Sequence, residues 1–376
     1  MENISKQDIV IALSKLSEDT LLRLMRLYHE SNKPESKITV PQSVFTVCHI
    51  PESIQKEIKE YEMLDDSQLA QHNKKWVTTI KSLPQYTSPL SEFDISFLNR
   101  LDNLWNKKIS GLEVVKERLT PHFMQFLQSG TSRPIILSGI PGCGKTRVMN
   151  TIGEILGLPV HIANALQMAT GNGLSGHSNA YLAALPGEVV EGMTTLKCGN
   201  FVFGIDEIDK AQMTADRSGN FQNELLSLTS DETSHNFKDN FLGFPIDASH
   251  LFIIMTANEL GSLSEPLKSR CDIIEFPEPD RKTIAAILSE HTIPNCLKTL
   301  GYKGRVMVDN NAVPFIVDTL YPKCKDVRKY QGIIESAIFQ ALLITIKDGT
   351  QAVINAKMLK PLVDSAFTKQ NSKIGF

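Results

Sequence analysis

The chain has 376 residues, with 39 Lys and Arg, 42 Asp and Glu and a formal net charge of -3, which is enough for about two or three globular domains. Hydrophobic residues make up 41% and charged residues 22%, so the composition excludes the disordered, collagen-like and disulfide-scaffold classes. The longest apolar runs, such as 251–255, are far shorter than the about 20 residues that a membrane-spanning helix needs, and no membrane contact is expected.

The N-terminus and the cysteines indicate the compartment. The first residues lack the charged start, apolar centre and small-residue cleavage site of a secretory signal. The six cysteines are dispersed without a C-x-x-C pair, so neither a zinc site nor a disulfide framework is indicated. We therefore predict a reduced, cytoplasmic protein. Lys and Arg form no dense block with interleaved aromatic residues, which makes nucleic acid a less favoured partner.

The first part of the chain is predicted to be helical. Residues 1–45 contain two stretches of apolar residues at helical spacing, followed by a polar segment with Pro34, and predict a helical hairpin with a linker. Residues 46–105 return to helical spacing until Pro84 interrupts it, and predict a helical arm.

Residues 106–280 have a different pattern, in which short apolar runs alternate with amphipathic stretches. This pattern is typical of a parallel sheet covered by helices. Helical spacing resumes in 281–350, which predicts a separate helical subdomain, and 351–376 is expected to be a solvated C-terminal tail. The predicted strands are 135–137, 160–162, 201–205, 251–255 and 273–275.

The first chemical motif is a complete G-x-x-x-x-G-K-T between a predicted strand and a predicted helix. Such glycines allow backbone N–H groups to surround phosphate oxygens, and the helix N-terminus adds positive potential. Lys145 is expected to reach the terminal phosphates and Thr146 to bind Mg²⁺. The candidate nucleotide-binding residues here are Gly139, Pro141, Gly142, Cys143, Gly144, Lys145, Thr146 and Arg147.

The second motif is the apolar run 201–205, which ends in two acidic residues. A buried strand in this position would place Asp206 beside the Mg²⁺ and the nucleotide, while Glu207 could accept the proton of an attacking water. Asn258 ends the next predicted strand and could orient that water, although such an Asn is more often a cap or a turn residue.

The order of these motifs resembles an AAA+ ATPase and, more narrowly, the ATPase module of the Lon protease family. The similarity covers about 50–345 and includes two further arginines, Arg270 in S-R-C and Arg328 in D-V-R. The segments that carry it are 110–118, 176–187, 206–210, 237–247 and 326–328.

The resemblance implies the fold, the ligands and the assembly. It implies an α/β AAA+ P-loop NTPase with a five-stranded parallel sheet, a C-terminal helical lid and an N-terminal helical arm. It also implies a homo-oligomeric ring, taken as a hexamer, with ATP and Mg²⁺ between subunits. Gly111 and Leu112 would contribute to the nucleotide site, Arg270 would reach the neighbour's γ-phosphate, and Arg328 would sense the nucleotide from the lid.

The resemblance also implies a substrate-gripping loop at Tyr181 and Leu182 that faces a central pore, with a second pore loop at 213–220. The alternative for Tyr181 is a side chain packed against the sheet. The chain after Arg328 is too short for a peptidase domain, so we expect no Ser/Lys dyad. The expected client is a polypeptide that is translocated, unfolded or remodelled for a separate partner.

Two other functions remain open at this point. The S-R-C sequence at 269–271 also resembles the finger motif of clamp loaders, which would make the protein a nucleic-acid motor or loader whose ATPase is stimulated by DNA. Alternatively, the ring could be an ATP-gated scaffold that controls a partner enzyme, with slow turnover that neither polypeptide nor DNA changes.

Overall fold

The computed structural model describes residues 44–63, 68–170, 173–211, 218–299, 306–349 and 351–371. The predicted N-terminal hairpin up to residue 43 and residues 213–217 of the predicted second pore loop lie outside the described residues.

The helices and strands are numbered here in chain order. The strands are β1 (Ile135–Ser138), β2 (Val160–Asn164), β3 (Val202–Asp206), β4 (Phe237–Lys238), β5 (Pro245–Ile246), β6 (Phe252–Ala257), β7 (Asp272–Glu275), β8 (Val306–Val308) and β9 (Ala352–Ile354). The helices are α1 (Glu52–Glu62), α2 (Gln68–Ser82), α3 (Ile95–Lys108), α4 (Glu113–Ser129), α5 (Lys145–Leu156), α6 (Ala165–Thr170), α7 (Glu188–Leu196), α8 (Ile208–Ala211), α9 (Ser218–Leu228), α10 (Asp231–Ser234), α11 (Glu265–Arg270), α12 (Arg281–Ala286), α13 (Ile293–Thr299), α14 (Ala312–Leu320), α15 (Val327–Asp348) and α16 (Ala356–Asn371). A π-helical turn, Ile287–Thr292, joins α12 to α13. None of the described helices is long and apolar enough to cross a membrane.

Five parallel strands form the central sheet in the order β2-β3-β6-β1-β7. The prediction of a five-stranded parallel sheet is confirmed, and each predicted strand is present with a shift of one or two residues at its ends. Register pairs Asn164 with Asp206 and Ser138 with Ala257. The carboxyl ends of these strands therefore meet at one edge, which is where open α/β sheets bind ligands.

The two faces of the sheet bury two separate hydrophobic cores, because successive side chains of a strand point to opposite faces. Ile136 faces one core and Ile135 the other. The predicted helical arm is divided between these cores. Trp76 of α2 packs in the first core, where its Nε1 donates to the Phe241 carbonyl at 2.8 Å, and Trp105 of α3 lies in the second. The arm is thus built into the sheet domain.

Residues 45–47 attach the start of the described chain to this domain, and we call them the anchor segment. Thr87 N donates to the Phe45 carbonyl at 2.9 Å, and Asp247 N donates to the Val47 carbonyl at 2.8 Å. The Phe45 ring stacks on His250 with centroids 4.3 Å apart. The anchor segment is held on both sides by backbone hydrogen bonds and by the contact of the half-buried Phe45 ring with the buried His250.

The lid has its own hydrophobic core, formed mainly by α14, α15 and α16 with the π-helical turn. The expectation of a solvated tail at 351–376 is wrong for residues 352–363. There, β9 pairs in parallel with β8, and Leu359 and Val363 of α16 are buried in the lid core. Pairing with β8 gives the β9 backbone its hydrogen bonds, and the apolar side of α16 then covers the lid.

Candidate active site

The loop between β1 and α5 forms the base of the site. Gly142 and Gly144 have φ angles of +79° and +100°, which side chains disfavour. A Cβ on Gly142 would lie 2.1 Å from Asp326 Oδ1 of the lid, so a glycine is also required there by contact. Lys145 is buried, and its Nζ donates to the Gly139 carbonyl at 2.5 Å and to Asn258 Oδ1 at 2.9 Å. The loop therefore holds an ammonium group at the N-terminus of α5.

Asp206 lies at the end of β3 and is connected to hydroxyl groups on both sides. Thr146 Oγ1 donates to Asp206 Oδ2 at 3.2 Å, and Thr256 Oγ1 donates to Asp206 Oδ1. Mg²⁺ prefers oxygen ligands and usually takes only one or two from the protein, completing its shell with waters and substrate phosphates. The hydroxyl and the carboxylate on Thr146 and Asp206 fit that preference.

Glu207 follows Asp206 in an unusual backbone conformation. Its φ of +62° is rare for a residue other than glycine, and its N–H donates to Thr256 Oγ1 at 2.9 Å. Lys210 Nζ donates to Glu207 Oε1 at 2.5 Å, and this hydrogen bond lowers the pKa of Glu207. Asn164 and the charge of Arg328 lower this pKa further. Glu207 is therefore a carboxylate at neutral pH.

Sequence reasoning missed three residues of this arrangement: Asn164, Thr256 and Lys210. Asn164 ends β2 directly opposite Asp206, and its side chain hydrogen-bonds to Glu207. Its position at the end of a strand, the same signal that selected Asn258, could have identified it.

Lys145, Thr146, Asp206, Glu207, Lys210 and Thr256 line one cavity of about 350 Å³ between the sheet edge and the lid, whereas Asn164 lies outside its lining. This volume is within the range of about 300–1,000 Å³ that small-molecule sites occupy. The lid contributes Ile287, His291 and Val327, and the Ser110 hydroxyl hydrogen-bonds to His291 at 3.0 Å. Burial, with the nearby charge of Arg147, lowers the pKa of His291, so the His291 side chain is neutral at pH 7.

Most of the residues predicted for the nucleotide site line this cavity, and three do not. Gly139 contributes its carbonyl to Lys145 from outside the lining, and Gly111 instead contacts the lid, where an added Cβ would lie 2.6 Å from Thr283 Oγ1. Arg270 is outside, at the end of α11. The predicted residues that line the cavity are Leu112, Pro141, Gly142, Cys143, Gly144, Lys145, Thr146, Arg147, Asp206, Glu207, Asn258 and Arg328.

The two arginines differ in their setting. Arg328 is exposed in the first turn of α15, and its N–H donates to Asp326 Oδ1 at 3.0 Å. Arg270 lines a separate polar cavity of about 750 Å³. Within the described part of the chain, its guanidinium has no hydrogen bond and no ion pair. An arginine in that position can act only on something outside its own nucleotide cavity.

The loop that carries Tyr181 has an exposed tip and a fixed base. Tyr181 and Leu182 are 68% and 62% exposed, which excludes packing of Tyr181 against the sheet. At the base, Gly187 N donates to Asp239 Oδ2 and Leu174 N donates to Glu224 Oε2, both at 2.8 Å. Burial raises the pKa of Asp239 to about 6. The loop therefore exposes an aromatic and an aliphatic side chain at its tip, while its base is fixed by hydrogen bonds to Asp239 and Glu224.

Comparison with known proteins shows what parts of the chain are similar to. Residues 135–278 match the family described as "ATPase family associated with various cellular activities (AAA)". The chain is 28% identical to the Lon protease of Mycoplasma genitalium over 363 residues, which cover 93% of this chain and 45% of the relative. It is 33% identical to the Lon protease of Bacillus thuringiensis over 232 residues, or 60% of this chain and 28% of the relative.

The chain thus spans less than half of the length of these curated relatives. A RuvB mutant of Thermotoga maritima is a similar solved structure, with 16% identity, a TM-score of 0.45, and coverage of 70% of this chain and 72% of that one.

Proposed function

We propose that this chain, which contains an AAA ATPase domain related to that of the Lon proteases, hydrolyses ATP in a ring of identical subunits and uses the energy to move polypeptide. The observation that carries the proposal is the convergence of Lys145, Thr146, Asp206 and Glu207 on one cavity closed by the lid. A single-chain α/β domain with an ammonium group, a metal-binding pair and an ionised carboxylate at one sheet edge has the groups that phosphoanhydride hydrolysis needs.

Phosphate binding would use the loop and Lys145. The backbone N–H groups around Gly142 and Gly144 would surround the phosphate oxygens at the N-terminus of α5. The Lys145 ammonium, which donates to the Gly139 carbonyl and Asn258, would exchange these partners for phosphate oxygens. Bound Mg²⁺, held by Thr146 and Asp206, would neutralise charge on the phosphates.

Glu207 would act as the general base. Its pKa is lowered mainly by Lys210, so the carboxylate is ready to accept a proton from a water at neutral pH. Lys210 is paired with Glu207 Oε1, so the proton of the attacking water would pass either to the other carboxylate oxygen or to Oε1 after Lys210 has released it. Asn258 would orient the water after Lys145 has moved to the phosphates.

Arg270 and Arg328 would complete the site from opposite sides. Arg270 lies outside its own cavity with its guanidinium unpaired among the described residues, which supports a role at the neighbouring subunit. A guanidinium that stabilises transition-state charge in this way is worth about 10³–10⁵ in rate. Arg328, in the first turn of lid helix α15, would report the state of the nucleotide to the lid.

The exposed tip with Tyr181 and Leu182 would grip the polypeptide in a central pore. The hydrogen-bonded base of the loop supports this role, because the exposed tip would then move together with the domain. The ring, taken as a hexamer, would hand the polypeptide to a separate partner.

The test measures the steady-state ATPase rate under three conditions: the protein alone, the protein with β-casein as an unfolded polypeptide, and the protein with DNA. We expect β-casein to stimulate turnover in the wild type and in Tyr86→Ala, a control that removes another exposed tyrosine. Tyr181→Ala should lose the stimulation and keep the basal rate. Glu207→Gln should bind ATP and lose hydrolysis.

Three results would count against the proposal. Stimulation by DNA alone would favour a nucleic-acid motor, and a slow rate that neither ligand changes would favour the gated scaffold. Normal turnover in Glu207→Gln would exclude Glu207 as the base.

A further inference from the structure

We infer that Arg133, just before β1, is a positioning residue that fixes the backbone of Arg270 for its action on the neighbouring subunit. The inference rests on the proposed function, in which Arg270 acts in trans. Arg133 touches no part of its own nucleotide cavity.

The first observation is a pair of hydrogen bonds from one guanidinium to the end of α11. Arg133 Nε donates to the Arg270 carbonyl at 3.1 Å, and its Nη2 donates to the Ser269 carbonyl at 2.5 Å. The last carbonyls of a helix have no partner within the helix, and a cation near them is favoured by the helix dipole. Arg133 therefore supplies the partners that this short helix lacks at its C-terminus.

The second observation is that the chain after Arg270 is also fixed. Cys271 is 4% exposed, and Asp272 N donates to the Pro134 carbonyl at 2.8 Å where β7 joins the sheet. Burial raises the pKa of Cys271 to about 12, so this residue is an inert, packed thiol. The backbone of Arg270 is consequently held from both directions.

The third observation is the contrast with the Arg270 side chain. It is exposed, and its guanidinium has no partner among the described residues, whereas its main chain is bound by Arg133. A fixed backbone with an unpaired guanidinium is what a group that must meet a ligand on another subunit needs. A fixed backbone reduces the conformational entropy that is lost when the guanidinium becomes ordered on its ligand. It also keeps the guanidinium in place, and a displacement of about 1 Å in a catalytic group can lower the rate about 10²-fold.

Arg118 offers a matched control. It is also an exposed arginine that bonds to the β7 region, but its Nη2 donates to the side chain of Asp272, at 3.4 Å, and not to the backbone of α11. Loss of Arg118 removes a surface arginine near the same strand and leaves the end of α11 unchanged.

The first experiment compares Arg133→Ala, Arg133→Lys, Arg118→Ala and Arg270→Ala. We expect Arg133→Ala to lower kcat about 10- to 100-fold, with ATP affinity and ring size unchanged, and Arg270→Ala to lower it further. Arg133→Lys should be intermediate because an ammonium group can replace one of the two donors but not the fork. Arg118→Ala should match the wild type. Adding Arg133→Ala to Arg270→Ala should cause no further loss.

The second experiment tests action between subunits. Lys145→Ala subunits cannot hydrolyse ATP, yet keep Arg133 and Arg270, so mixing them with Arg133→Ala subunits should restore turnover at sites that face an intact Arg270. Mixing Arg133→Ala with Arg270→Ala should restore none.

The two failures are distinguishable. If Arg270→Ala retains full kcat, the action of Arg270 in trans fails and the proposed mechanism with it. Suppose instead that Arg270→Ala is slow and that mixing with Lys145→Ala subunits restores its turnover. If Arg133→Ala is then as fast as the wild type, or is not restored by the same mixing, only the inference about Arg133 is overturned.

Discussion

Replacement of Thr256 by valine should show how strongly one buried hydroxyl organises the active site. Thr256 is 1% exposed, and its hydroxyl donates to Asp206 Oδ1 and accepts from Glu207 N at 2.9 Å. Valine has the same shape without the hydroxyl. The change therefore removes both hydrogen bonds and creates almost no cavity.

The magnitude follows from what is left without a partner. A hydrogen bond to a charged group contributes about 1.5–3 kcal/mol, and leaving a buried N–H unsatisfied costs about 1–3 kcal/mol. Asp206 keeps one hydroxyl partner, because Thr146 still donates to the other carboxylate oxygen. We expect Thr256→Val to lower the free energy of unfolding by about 3 kcal/mol.

Thr151→Val provides the control, because Thr151 is equally buried at 2% exposure. Its hydroxyl donates to the Arg147 carbonyl at 2.9 Å, one turn earlier in α5, and that carbonyl is also within reach of the helix's own N–H groups. Its loss should cost less than about 1 kcal/mol. The two variants should be compared by urea denaturation and by ATP turnover. Thr256→Val should also lower kcat at least about 10-fold, because the backbone N–H of Glu207 loses its hydrogen bond. Equal stabilities and equal turnover in the two variants would refute the reasoning.

Two further predictions concern the loop base and the phosphate loop. Burial raises the pKa of Asp239 from 3.8 to about 6, so its contribution to stability is greatest below about pH 4 and is lost as the pH rises to about 6, a change of about 3 kcal/mol. The unfolding free energy of the wild type minus that of Asp239→Asn should therefore fall over this interval; a constant difference would contradict the assignment. Gly142→Ala should weaken ATP binding at least about 10-fold, because the added Cβ would displace Asp326 at the start of α15. Gly157→Ala is the control, since Gly157 has a similar φ of +70° but no contact within 4 Å, and it should leave ATP affinity unchanged. Equal ATP affinities in the two variants would show that the contact between Gly142 and Asp326 does not matter for binding.

The parts of the fold that sequence predicted are those with local signals. The glycine-rich loop, the acidic residues at the end of β3 and the short apolar strands each lie within a few consecutive residues, and the structure has them in the expected order. Arg270 lies outside the nucleotide cavity, and its role at a neighbouring subunit stays a prediction.

The parts that sequence did not predict depend on contacts between distant segments. Asn164 reaches Glu207 only because β2 and β3 are neighbours in register. β9 forms because β8, far earlier in the chain, offers it a partner, so an apparent tail becomes part of the lid. The spacing of apolar residues in 46–105 predicts helices, but it does not indicate that Trp76 and Trp105 pack in the cores on opposite faces of the sheet.

The anchor segment has a mechanical consequence for anything joined to the chain before Val44. Its hydrogen bonds with Thr87 and Asp247 run across the chain direction, as in an antiparallel ladder, so tension along the chain would load them in shear and together. The stacked ring of Phe45 passes part of this force to His250, whose Nδ1 is hydrogen-bonded to the Gly130 carbonyl at the end of α4 at 3.0 Å. A load attached before Val44 would therefore act on Thr87, Asp247 and His250, which belong to three separate segments of the sheet domain.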